Sequence, residues 1–101
     1  AMFKAELNDN VLALSGRLVA SNVPSTHQPG QRLLDQHSDE LFIDLSKTDD
    51  VLDLVGIQFL AVLYRSAKNR GKQLKILGIQ EIQKRSIEVA GFQFLIYEQP
   101  R

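Results

Sequence analysis

The stretch that most constrains this chain is the pairing of Leu41-Phe42-Ile43-Asp44-Leu45 with the apolar run of residues 54–69. The first block is apolar at every position but Asp44, without alternation. That pattern predicts a strand inside a sheet, covered on both faces. Residues 46–53 then read as a polar connector with an acidic cluster. Beyond it, Ile57, Leu60, Ala61, Tyr64 and Ala67 recur at spacings of three and four, one stripe of an α-helix. Asp53 stands in the N-cap position, where a carboxylate accepts from free amides of the first turn. Lys68 and Arg70 fall in the last turn and Gly71 just beyond it, as a helix end requires.

The remaining segments extend this unit. Phe3, Ala5 and Leu7 alternate with Lys4 and Glu6, and Leu12, Leu14 and Leu18 with Ala13, Ser15 and Arg17. The turn formers Asn8-Asp9-Asn10 between them predict an antiparallel hairpin. Gly16 predicts a bulge or a close backbone approach. Residues 19–40 carry the weakest pattern. Leu33 and Leu34 suit a short helix starting near Pro29, or a longer one kinked there, and 21–30 reads as a mobile segment. Leu74, Ile76 and Leu77 predict a strand ended by Gly78. Glu81 to Ala90 predicts a helix with Ile82, Ser86, Val89 and Ala90 on one face, and Phe92 to Tyr97 a last edge strand. Pro100-Arg101 is a tail. Strands alternating with helices after a hairpin predict an α/β fold with a mixed sheet, its parallel strands joined by right-handed crossovers.

Composition narrows the function. The 101 residues suit a single domain, 1–101, with Met2 read as the natural start and Ala1 as a remnant ahead of it. Formal net charge is +0, which gives no global pull toward nucleic acid or an anionic membrane. Residues 1–50 carry 4 Lys/Arg against 8 Asp/Glu and residues 51–101 the reverse, an asymmetry expected to cancel as the halves interleave. There is no cysteine, so disulfide, thiolate and Cys-metal chemistry are excluded. No apolar run approaches the ~20 residues of a membrane span. No signal-peptide pattern opens the chain, and a cytoplasmic location is expected.

Four short patterns occur in order: Leu12-Ala13-Leu14-Ser15-Gly16, Phe42-Ile43-Asp44-Leu45-Ser46, Asp53-x-x-Gly56-Ile57 and Ala67-Lys68-x-x-Gly71-x-x-Leu74. Together, over essentially the whole chain, they resemble a STAS domain. That family includes anti-sigma-factor antagonists, domains of sulfate transporters, and a subunit of the bacterial ABC system for phospholipid trafficking. The resemblance implies helices packed mainly on one side of the sheet, and partner docking through the Asp-x-x-Gly loop and the following helix. In the antagonists the loop reads Asp-Ser-Ser-Gly, and phosphorylation of the second serine by a partner kinase, itself the anti-sigma factor, abolishes binding. Here Leu54 and Val55 replace both hydroxyls, so the family position carries no phosphate acceptor. Leu54 also replaces the threonine that follows the aspartate in the phospholipid-trafficking relative. The spacing from Asp44 to Asp53 is one residue longer than the family pattern.

The candidate partner-binding residues are Asp53, Leu54, Val55, Gly56, Gln58, Phe59 and Val62. Asp53 also reads as a plain cap, and Gly56 as a site of close packing within the chain. Leu54, Val55, Phe59 and Val62 widen the apolar arc of the helix beyond its core stripe, as an exposed docking patch would. Ser46 and Thr48 are the nearest alternative hydroxyls for phosphorylation. Asp44, Asp49, Asp50 and Asp53 read as solvated acids, not as a metal site. Lys68, Arg70, Lys72 and Lys75, with Lys84 and Arg85, read as solvated cations, since no aromatic stacking platform accompanies them. His27 and His37 read as surface residues. No phosphate loop, metal-ligand spacing or triad supports catalysis, and no cofactor is implied. The expected function is therefore a non-enzymatic interaction module. Its partner is an anti-sigma factor or related regulatory kinase, or alternatively an ABC ATPase subunit; a nucleotide-binding STAS domain is the third option.

Overall fold

The computed structural model of the protein describes residues 2–97, so Ala1 and the Pro100-Arg101 tail lie outside the described residues. Strand β1 (Lys4–Asn8) turns at Asp9 into β2 (Val11–Leu18), the antiparallel hairpin the alternation predicts. Asp9 takes a left-handed φ of 51°, which aspartate tolerates better than most residues. A 3-10 turn, Val23–Thr26, then runs into α1 (His27–Leu34). After it come β3 (Glu40–Leu52), α2 (Leu54–Asn69), β4 (Gln73–Leu77), α3 (Glu81–Val89) and a short α4 (Phe94–Tyr97). The sheet order is β1-β2-β3-β4, with β2, β3 and β4 parallel. This is the mixed sheet of the expected α/β class.

One face of the sheet carries the core. Leu12, Leu14, Leu41, Ile43, Leu45, Leu74 and Ile76 are buried against the helices. The opposite face is half-buried at Val11, Ala13, Phe42 and Asp44. The apolar run at 41–45 predicts cover on both faces, and the structure covers one. Phe42 lies in register between Val11 and Lys75, and cross-strand neighbours shield it in place of a second layer.

Three other expectations are corrected, and the face that α3 turns inward is settled. Residues 21–30 are not a loose loop: Val23 and Thr26 are buried, and Pro29 falls in the first turn of α1, where its missing N–H costs nothing. The polar connector 46–53 is mostly strand, because β3 runs on to Leu52. The inner face of α3 is formed by Gln83 and Ile87, while Ile82 and Val89 face solvent. The segment 92–97 ends in helix, not strand, since Leu95 is buried in the core and Phe94 packs on Tyr64 at 5.3 Å. Tyr97 in α4 donates to Glu88, and that bond raises the phenol's pKa; the bond to Tyr97 in turn raises that of Lys84.

β3 outruns β4. Its pairing with β4 ends at Asp44, which leaves an overhang toward Leu52. Two glutamines of the α3 start seal that overhang. Gln80 donates to the carbonyl of Thr48 and Gln83 to that of Asp49, each at 2.8 Å. Gln83 is fully buried, also donates to the Thr48 hydroxyl, and accepts from the Gln80 amide. Replacing Gln83 with Leu therefore strands several buried polar groups at once. Urea unfolding of Gln83→Leu should show a loss of about 2–3 kcal/mol, against a change under about 0.5 kcal/mol for the exposed residue Arg85→Leu on the same helix.

Candidate functional site

The candidate site is the start of α2, and the chain pins it from three directions. Leu52, the last residue of β3, pairs with Leu18 at the end of β2. Asp53 is extended, with φ −91° and ψ 174°, and caps α2 by accepting from the Gly56 amide through Oδ1 at 2.8 Å. Its second oxygen, Oδ2, accepts from the Ala20 amide at 2.8 Å. Gly56 is buried, and a Cβ at that position would collide with the carbonyl oxygen of Leu18. The close approach at Gly56 is thus to this chain's own β2, and both oxygens of Asp53 serve the chain itself.

Those anchors fix what lies between them. With Asp53 and Gly56 turned inward, Leu54 and Val55 project outward, 53% and 40% exposed. Gln58 and Val62 continue the outward ridge, Val62 at 58%. Phe59 is turned away from it and only 8% exposed. The expected core stripe of Ile57, Leu60, Ala61, Tyr64 and Ala67 is buried throughout. The extra apolar arc of α2 therefore divides: Phe59 joins the interior, while Leu54, Val55 and Val62 face solvent.

Phe59 still borders a surface feature. Between α1 and α2 runs a groove of about 410 Å³, with Phe59, Leu63, Gly30 and Leu34 among its apolar walls and Val55 and Val62 on its α2 rim. No permanently charged side chain lines it; Thr26, His27, Gln31, Gln58 and Ser66 are its polar members. The contribution of α1 lacks a sequence pattern of its own, although Gly30, whose missing side chain faces Leu63, is the signal that a neighbouring helix comes close.

The alternative hydroxyls differ in access. Thr48 is buried, donating to the Leu45 carbonyl at 2.7 Å and accepting from Gln83. Ser46 is exposed. Of the acids, Asp44 accepts from the Ser46 amide, a local contact within β3. The basic residues after α2 are anchors where solvated cations are expected. Arg70 pairs with Asp35 at 2.8 Å, Lys75 with Glu40 at 3.3 Å, and Lys72 donates to the carbonyls of Gln36 and Ser38. Arg70 and Lys72 hold the segment between α1 and β3 against the end of α2, and Lys75 pairs across β3 and β4. No helix among the described residues is long and apolar enough to cross a membrane.

A family model described as "Mlab, STAS domain" matches residues 1–97. No curated protein matches the chain.

The pinned geometry makes the glycine and the aspartate unequal in cost. Gly56→Ala must push apart β2 and α2, and calorimetry should show a loss of about 3 kcal/mol. Asp53→Ala removes the cap and the Ala20 contact, and should lose about 1–2 kcal/mol by the same measurement.

Proposed function

The chain belongs to the STAS domain family, and we propose that it is a docking module that holds a protein partner on the α2 ridge. STAS domains are in general non-catalytic modules of protein–protein interaction. The observation that carries this reading is the exposure of Leu54, Val55 and Val62 on one ridge, fixed there by the inward anchors Asp53 and Gly56. Apolar side chains held rigidly at a surface gain free energy when a partner removes them from water. Gln58 lies among them as a hydrogen-bonding group, and Phe59 backs the ridge from the groove side.

The partner in this reading is an anti-sigma factor or related kinase-type regulator in the cytoplasm of a bacterium. Val55 stands where the family's phosphorylated serine would be, and its side chain has no oxygen to modify. The contact is therefore constitutive, set by the amounts of the two proteins. The same absence of a switch favours a second reading, an accessory subunit seated on an ABC ATPase. Permanent assemblies use interfaces more apolar than those of regulated encounters, and this ridge is apolar at every position but Gln58.

Val55→Asp tests the surface. The site is exposed, so stability should change by no more than about 0.5 kcal/mol, while partner affinity measured by calorimetry should fall at least about tenfold. Unchanged affinity would place the interface elsewhere. Identifying the partner captured from the source cell separates a sigma-factor regulator from a transport ATPase. Incubation with the cognate kinase and ATP should leave the chain unlabelled; stoichiometric label on Ser46 would overturn the constitutive reading.

A further inference from the structure

The α2 ridge has a second flank. Between the start of α2 and α3 lies a depression of about 580 Å³, lined by Leu52, Leu54, Ile82, Ser86, Val89 and a single charged residue, Arg85, among others. Ile82 is 54% exposed and Val89 89%. The two residues turn away from the core because Gln83 and Ile87 occupy the inner face of α3. Arg85 forms no ion pair among the described residues. Nothing acidic lines the depression, so it offers apolar walls and one guanidinium.

We infer that this depression seats an amphipathic helix of the protein partner, carrying one carboxylate against Arg85. The inference deepens the docking reading and rests on it, because Leu54 belongs to both surfaces. The occupant is a helix for two reasons. Strand addition needs open backbone groups, and the overhanging carbonyls of Thr48 and Asp49 in β3 are already taken by Gln80 and Gln83. In addition, Ile82, Ser86 and Val89 fall at spacings of four and three, a ridge with a small residue between two large ones, which accepts the knobs of a crossing helix. The carboxylate follows from charge. A guanidinium among apolar walls loses water when covered and needs a planar acceptor in return. A second copy apposed through this same face supplies none, since it would bring another Arg85 and no acid lining the depression.

The test uses synthetic amphipathic helices of about 14 residues, identical except for a central Glu, Gln or Lys, titrated onto the full chain and followed by amide chemical shifts. The Glu peptide should perturb Leu54 and residues 82–89 and bind about tenfold tighter than the Lys peptide. Arg85→Glu should reverse that order. Val89→Asp, at an exposed position that leaves the fold intact, should weaken all three. Equal affinities, absence of binding, or shifts confined to the α1 groove would overturn the inference. Dimerisation of the chain that Val89→Asp abolishes would also overturn it, assigning the face to a second copy. Loss of partner binding in Val55→Asp, with none in Arg85→Glu, would leave the docking reading standing and this one refuted.

Discussion

The carboxylate of Asp53 joins two parts of the chain that must meet for the sheet and the helix layer to agree. One oxygen starts α2 and the other holds the chain leaving β2. Each bond is an ion–dipole contact to a backbone amide, and the cap also meets the positive end of the helix. Gly56 then lets α2 lie directly on the Leu18 carbonyl. The two effects depend on each other. Without the clamp, the helix has no fixed entry angle; without the glycine, the clamp cannot close. Whatever sits at 54 and 55 is presented outward by these constraints, independently of its own chemistry. The scaffold thus determines where a surface lies, and the residues on it determine what that surface can do.

The same separation governs β3. A strand of 13 residues cannot be paired along its whole length by a β4 of 5. Its register against β2 shifts between Ala13 and Ser15 and again between Gly16 and Leu18, and each shift places extra β3 residues opposite fewer of β2. Gly16 supplies the left-handed φ of 88° at that point, where a side chain would meet the backbone of Phe3. The extra β3 residues are taken up there, and Leu52 still ends beside Leu18, next to the Asp53 anchor. On the other edge, the glutamine seal replaces the missing strand. Exposed carbonyls on an overhang invite pairing with other chains, and buried amide donors from α3 close that option.

What the sequence made legible follows from the range of the forces involved. The hairpin, the bounds of α2, its core stripe and its glycine stop rest on local periodicity and capping, and all are present. So is the cap at Asp53. The errors lie where a distant partner decides. Gln83 carries no apolar signal, yet its bonds to Thr48 and Asp49 hold it inside, with Ile82 and Val89 turned out. Residues 92–97 have β-forming side chains, but Leu95 finds the core from a helical turn. The basic residues after α2 look solvated until Asp35, Glu40 and the carbonyls of Gln36 and Ser38 are placed beside them. The polar stretch 46–52 hides a strand because its pattern is broken by the bulges. In each case the deciding neighbour is some thirty residues away or on another element, beyond any window of periodicity.

The position of Val55 is where scaffold and chemistry diverge most. A phosphate there would lie beside the first turn of α2, where free amides and the helix dipole favour an anion. The scaffold keeps that environment: the cap is made, and the helix start is exposed. An isopropyl group exploits neither the amides nor the dipole, and gains only from leaving water. In the docking reading, the term that would oppose binding in a phosphorylated relative is replaced here by one that favours it. A surface built in this way cannot be released by modifying its centre. In that reading, release comes from a competitor for the same apolar ridge or from a fall in concentration.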